Sequence, residues 1–503
     1  MRRCVRFWLA LVILTFFGVG LVSRTIAVAQ VRPKGQAQGG DGRGTYLDPN
    51  KGMPLYKDPK TYTHNVTLVA HVPEGGGGDL MIIGEQRYLV GEGLVIDVTN
   101  PKQPVIVNRK APRGEVAYNQ TMKKWILMRT DSCCSRDEDE LIEGGPSPET
   151  TYKGRLGVTF FDMTDPRSPT EISHYDTGRP GQGSHGDGNF YDGGRYAYLA
   201  AGVPGTRGQM PYRYTSRILI ILDVADMKQP KEVGRWWVAG QMRSEQKEFA
   251  AWSTAVSETE KWTSNTPKHI YNTFHGPCFL PKKVEEGGKR GYCGWGALGL
   301  VVLDFSDIKK PKQISRLNIT PPFDAGIPVH SAYPMLERKL LFMNGESTGV
   351  DCTEGIMTPW VVDIRAEKNP VTIATFPIPK PPREAPYNDF CFRGGRFGPH
   401  NPQNFKAPGE ARVDIMGYTW FTGGFHLYDV SNPFQPREVA YFVAPQGTRR
   451  GTETALIEWD RRLIHVRTDT GLYILSSPVL GEPVLGPIKP KRWTLEGLNA
   501  GAP

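Results

Sequence analysis

The chain has 503 residues, 39% of them hydrophobic and 22% charged, a globular composition that excludes a disordered chain. Its 57 glycines and 42 prolines, about a fifth of the sequence, disfavour a helical protein and favour a turn-rich, all-β one. The net charge of +9 includes Arg2, Arg3, Arg6 and Arg24 of the leader; the remaining 57 basic residues face 52 acidic ones, which gives no support to a nucleic-acid partner.

In chain order the leader comes first. Arg2, Arg3 and Arg6 precede an apolar run from Phe7 to Val22, and Ala27-Val28-Ala29 stands before Gln30. This pattern predicts a secretory signal peptide over 1–29 and export to the periplasm or the cell exterior. The run is short for a membrane span and no later stretch approaches one, so no stable span is expected in the mature chain. Residues 30–61 are rich in Gly, Pro, Lys and Asp and read as a flexible arm, and 481–503 as a C-terminal tail.

Between them, 62–480 carries a repeat. Leu94-Val95-Ile96-Asp97 leads to Asn100-Pro101 and Pro104; Thr159-Phe160-Phe161-Asp162 leads to Asp165-Pro166 and Pro169; Ile220-Ile221-Leu222-Asp223 leads to Asp226 and Pro230. The aspartate recurs at Asp304, Asp363 and Asp429, and Gly471-Leu472-Tyr473-Ile474-Leu475 is a seventh copy without it. In each copy an apolar run of strand length meets an Asx/Pro turn that cannot continue a ladder, and another strand follows. A further pair of short strands lies upstream, as in Gly188–Tyr191 and Tyr196–Leu199 around Asp192-Gly193-Gly194. Four strands per unit and seven units predict a seven-bladed β-propeller. The aspartates are spaced by 65, 61, 81, 59 and 66 residues, longer than the usual ~40 to 50 per blade, so the surplus is expected in loops. Val66–Pro73 mimics Val439–Pro445, an outer strand of unit six, and is predicted to complete the last blade. Such closure leaves no free sheet edge.

Export permits disulfides. Cys278 and Cys293 bracket a Gly-Gly turn in one hairpin and are the predicted pair. Adjacent Cys133 and Cys134 form a vicinal bridge, bind a metal, or are loop cysteines paired elsewhere or free.

The innermost strand of each blade lines the channel, and histidines recur there. His185, His275, His330 and His400 come from four consecutive units. His185 and His330 each lie eleven residues before a second-strand residue, Tyr196 and Leu341. The same register places Glu115 in unit two, Glu453 in unit seven and Gly78 or Asp79 in unit one. Four neutral imidazoles in one register are a donor set for iron, copper, zinc or nickel, with glutamates able to accept the outer N–H of each ligand. His64, His71, His174, His269, His426 and His465 share no register and are expected to be structural.

The repeat resembles the LVIVD-repeat β-propellers of bacterial exported proteins over about 62–480, which implies the fold and says little of function. The histidine set is similar to that of carotenoid and stilbene cleavage oxygenases, seven-bladed propellers in which four histidines hold ferrous iron with glutamates around them. It also resembles the selenium-binding protein and methanethiol oxidase family, histidine-bearing propellers associated with copper. These resemblances imply a reaction class and no particular substrate.

The first expectation is therefore an exported metal-dependent oxidoreductase of oxygenase or oxidase type. His185, His275, His330 and His400 would bind one divalent ion, Fe(II) first and copper second, and Glu115 and Glu453 would be outer-shell partners or a general base. Its substrate would be a small apolar or aromatic molecule, with dioxygen as co-substrate. Ser244–Lys261 reads as a helical lid or as an outer helix packed on the rim. The loop Ala385–Gly398, with its aromatics and arginines, either walls a pocket or packs on a neighbour, and Asp137–Glu140 reads as a solvated loop. Two other readings stay open: a non-catalytic propeller that binds a protein or extracellular ligand, and a metal-dependent lyase or isomerase at the same site.

Overall fold

The computed structural model describes residues 56–132, 152–179, 181–204, 217–242, 244–245, 247–248, 273–319, 326–352, 355, 357–447, 450–489 and 493–494. All fall in one compact unit, Gly39–Pro503. Seven antiparallel sheets make the blades of an all-β propeller. Blade one runs outward through Asp79–Ile83, Gln86–Gly91, Leu94–Asp97 and Val105–Asn108. Blade two runs through Gly114–Asn119, Lys124–Asp131, Gly157–Asp162 and Thr170–Asp176. The later blades repeat this order.

The repeated apolar run is the third strand of its blade. It is buried on both faces by neighbouring blades, as in Ile218–Asp223, where every residue before the aspartate is buried. A strand covered on both sides reads as a continuous hydrophobic run, while the outer strand, such as Lys231–Trp236, is mostly half-buried, with Lys231 exposed and only Gly234 buried.

The aspartate ends that strand by a specific hydrogen bond. In six blades its Oδ1 accepts from the backbone N–H two residues on: Asp97 from Thr99 (2.9 Å), Asp162 from Thr164 (2.8 Å), Asp223 from Ala225 (3.0 Å), Asp304 from Ser306 (2.8 Å), Asp363 from Arg365 (2.8 Å) and Asp429 from Ser431 (2.9 Å). A second Asx turn follows, with Asn100, Asp165, Asp226, Asp307 and Asn432 capping the N–H two residues later. In the seventh copy Ser477 Oγ does this for Val479 at 3.2 Å. All seven blades also shift register between third and fourth strands, a bulge that tightens local twist.

The ring closes as the repeat predicts: Thr67–Val72 pairs antiparallel with Gly471–Ser476 as the outer strand of blade seven. Tyr62–His64 adds an unexpected outermost strand to the four-stranded sheet of blade six, against Val443–Tyr441. At the seam between blades seven and one, Arg87 pairs with Glu458 and, at 2.8 Å, with Asp460, all three buried. Arg461 donates back to the Val98 carbonyl (3.1 Å) and the Thr99 carbonyl (3.2 Å).

Cys278 and Cys293 are bonded across facing strands. A second disulfide, Cys352–Cys391, was not expected from spacing. Cys133, Cys134, His269 and Asp137–Glu140 lie outside the described residues, as does nearly all of Ser244–Lys261.

Candidate metal centre

The four histidines sit where inner strands are interrupted. In blade three the inner strand is split into Gly183–Ser184 and Phe190–Tyr191, and His185 begins the short 3-10 turn Gly186–Gly188 that separates them. His275 precedes the two-residue strand Cys278–Phe279 and is tied to blade four by its N–H to the Gly294 carbonyl at 3.3 Å. His330 lies in Ile327–Met335 inside the stretch where the register to the next strand shifts, between Ile327 and Ser331. His400 donates its N–H to the Thr419 carbonyl at 2.9 Å. Each interruption releases a side chain from the alternation of a regular strand.

Glycines set the spacing between blades. A Cβ on Gly188 would lie 2.5 Å from the His275 carbonyl oxygen, and Cβ atoms on Gly276 and Gly294 would lie 1.7 and 2.0 Å from that of His330. Only a residue without a side chain admits such an approach. Neighbouring rings consequently stand 4.3 Å apart (His185 and His275), 4.9 Å (His275 and His330) and 5.1 Å (His330 and His400) between centroids. His400 also stacks on Phe421 at 4.6 Å. Phe421 holds φ +48°, uncommon for a bulky residue.

Two carboxylates that sequence reasoning missed complete the cluster. Asp187, on the 3-10 turn, faces Nε2 of His185 at 3.7 Å, of His400 at 3.8 Å and of His330 at 4.0 Å. Glu346, at the end of Leu340–Glu346, faces Nε2 of His330 at 3.7 Å and those of His275 and His400 at 3.8 Å. Asp187 had a readable signal, His-Gly-Asp; Glu346 had none beyond ending a buried strand. These separations exceed a hydrogen bond. They suit donor atoms arranged about a cation with ligand bonds of about 2.0–2.2 Å. Nε2 of His185 and His330 and Oε2 of Glu346 are buried with no hydrogen-bond partner. Buried polar atoms without partners are costly, and a divalent ion is a partner all three fit.

The electrostatics agree with that donor set. Burial, then Arg217, pushes His185 down to about 3, and burial with the neighbouring His185 and His330 holds His275 well below its ordinary value. Both are neutral at neutral pH, the state that binds metal. Burial opposes charge on His400, but Asp187 and Glu346 outweigh it and raise the group. Burial likewise opposes ionisation of Asp187, yet the facing His330 and His400 bring it well below the carboxylate range. Ser331 Oγ lies 2.7 Å from His330 Nδ1, and Arg396 donates to Glu346 at 3.1 Å.

Neither of the two glutamates expected beside the histidines faces an imidazole Nε2 as Asp187 and Glu346 do, although the charge of Glu453 still raises His400. Glu115 Oε2 accepts from Lys406 Nζ at 2.8 Å, and Glu453 is held by Arg467 at 2.7 Å and Arg450 at 3.2 Å. The reason is charge: each has a cation at hydrogen-bond distance, and the imidazoles meet Asp187 and Glu346 instead. Asp79 accepts from the Val116 N–H at 2.7 Å, on the inner edge of blade one. His426 and His465 are buried against Glu438 (2.7 Å) and Glu458 (2.8 Å), away from the cluster. In the 385–398 loop, Arg393 donates to the Thr422 and Ala444 carbonyls, and Phe390 and Phe397 pack on each other at 5.2 Å. This loop packs on its neighbours, and its arginines are engaged within the protein.

No family model matches the chain, and no curated protein matches it. Among solved structures it is similar to Saccharomyces cerevisiae Sqt1, with a TM-score of 0.41 and 8% identity over 84% of this chain and 99% of that one. That likeness is too remote to bear on function.

Proposed function

We propose that the protein is an exported metal-dependent oxidoreductase, of oxygenase or oxidase type, with one iron or copper ion held by His185, His275, His330 and His400. The observation that carries this reading is the convergence of four imidazoles, from four successive blades, on Asp187 and Glu346 at 3.7–4.0 Å. A bound iron or copper ion would supply redox chemistry and dioxygen activation. Asp187 and Glu346 lower the net charge of the loaded site, and Arg396 fixes Glu346. Glu115 and Glu453, held by cations at the channel wall, would handle protons of the substrate. Two disulfides suit an oxidising compartment, and the repeat supports kinship with the LVIVD propellers.

The test is elemental analysis of protein purified without metal-affinity resin, beside a His275→Ala/His330→Ala double variant checked for folding by circular dichroism. Near-stoichiometric iron or copper, lost in the folded variant, is the expected result; oxygen uptake with small apolar substrates then tests the reaction class. Protein that stays metal-free after reconstitution with ferrous or cuprous ions would sink the reading. Bound zinc without oxygen uptake would leave a binding propeller.

A further inference from the structure

A cavity of about 440 Å³ shares a wall with the histidine cluster. Asp187, Ser331 and Asn401 line it. These three touch or face the cluster: Ser331 and Asn401 contact Nδ1 of His330 (2.7 Å) and of His400 (3.2 Å), and Asp187 faces three Nε2 atoms. The volume lies in the range of small-molecule sites, ~300–1,000 Å³.

Besides Glu92, Arg113 and Arg467, the remaining wall has two notable parts. One part is aromatic: Phe405 packs on Phe279 at 4.7 Å and on Phe190 at 5.9 Å, and all three line the cavity. The other is a charge triad of buried Lys406 and Asp79 with half-buried Glu115. Lys406 donates to Glu115 at 2.8 Å, while Asp79 Oδ2 lies 3.7 Å from the ammonium, beyond hydrogen-bond reach. An ammonium has three donors, and Glu115 takes one of them. The triad therefore presents a donor and an acceptor side by side. Burial raises Glu115 to about 7, with Lys406 opposing and Asp79 adding to the rise. A carboxylate ligand at Lys406 would meet the carboxylates of Glu115 and Asp79, and a hydrocarbon would leave the remaining ammonium donors unmatched. A hydroxyl both accepts and donates, and matches the pair without adding charge.

We propose that this cavity is a substrate chamber for a compact neutral alcohol, its hydroxyl between Lys406 and Glu115 and its apolar body against Phe190, Phe279 and Phe405. The chemistry done on such a ligand rests on the metal-centre reading above; its binding does not.

The experiment titrates the full-length protein with benzyl alcohol, toluene and benzoate by calorimetry, with metal content measured on the same samples. Benzyl alcohol is expected to bind at least tenfold more tightly than either of the others. Lys406→Met should abolish that preference while leaving the metal content unchanged. Equal affinity for toluene would overturn the hydroxyl anchor, and tighter binding of benzoate would overturn the neutral-ligand assignment. If Lys406→Met does not fold, the wild-type series decides alone. Alcohol preference in metal-free protein would uphold the chamber while removing the oxidoreductase reading; stoichiometric metal without that preference would do the reverse.

Discussion

Blades one and two and blades three to six are built from the same four-strand unit, yet their inner strands differ. Asp79–Ile83 and Gly114–Asn119 pair with their second strands without a register break. In blades three to six the inner strand is split, shortened, shifted in register, or reduced to the single bridge between Pro402 and Tyr418. The regular inner strands bring channel groups that bind one another, such as Glu115 and Asp79 around Lys406. The interrupted ones bring imidazoles whose Nε2 atoms face carboxylates at 3.7–4.0 Å. Regular pairing and a ligand-ready site occupy different parts of one ring, as expected when irregular backbone is tolerated where function needs it.

The comparison breaks if stability and metal binding cannot be separated. Arg87→Ala at the seam of blades seven and one removes the paired cation from buried Asp460 and one of the cations around Glu458, which keeps His465 and Arg461. It should cost about 3–5 kcal/mol in urea unfolding, the usual effect of leaving buried charge uncompensated, with metal content retained in the folded fraction. Loss of metal in that fraction would mean that the seam also shapes the site.

Gly276→Ala attacks the other region. Its Cβ would lie 1.7 Å from the His330 carbonyl, so blades four and five must separate. We expect a stability loss of about 1–3 kcal/mol and a fall in metal affinity of about 10–100-fold, the range for disturbed support of metal ligands. Competition with a chromophoric chelator measures the affinity; an unchanged value would deny that glycine contacts set the histidine spacing.

The smallest effect concerns a part shared by both regions, the aspartate turns. Hydrogen bonds from Ser431 and the charge of Arg437 bring Asp429 down to about 2, against an unfolded value near ~3.9. The resulting stabilisation is present above the unfolded value and is lost as pH falls from about 4 towards 2. Asp429→Asn keeps the turn acceptor without the charge. It should flatten this acid limb while changing neutral stability by no more than about 1 kcal/mol, because the group is partly exposed. Acid titrations followed by circular dichroism would show it, and an unaltered acid limb would rule Asp429 out as a contributor.

The repeat determined much of this architecture by itself. An apolar run, an aspartate and an Asx/Pro turn are local signals: the run marks a strand covered on both faces, and the aspartate caps an amide two residues away. Seven copies therefore announce seven blades, and the likeness of Val66–Pro73 to an outer strand announces closure. Recurrence at inner strands of four consecutive units also picked out His185, His275, His330 and His400, because equivalent strand positions meet at one axis. Glu346 was not legible, since it reaches the cluster from the end of a second strand that no register argument had placed at the channel. Glu115 and Glu453 were legible as channel residues, but their partners were not: Lys406 reaches Glu115 from another blade, and Arg467 meets Glu453 from the neighbouring strand of blade seven. The Cys352–Cys391 bridge joins two loops whose approach depends on blade packing. Strand, turn and repeat arise within a few residues and can be read along the chain. Apart from neighbouring His185 and Asp187, which charge meets which imidazole depends on contacts between residues tens to hundreds of positions apart, and only the closed ring brings those together.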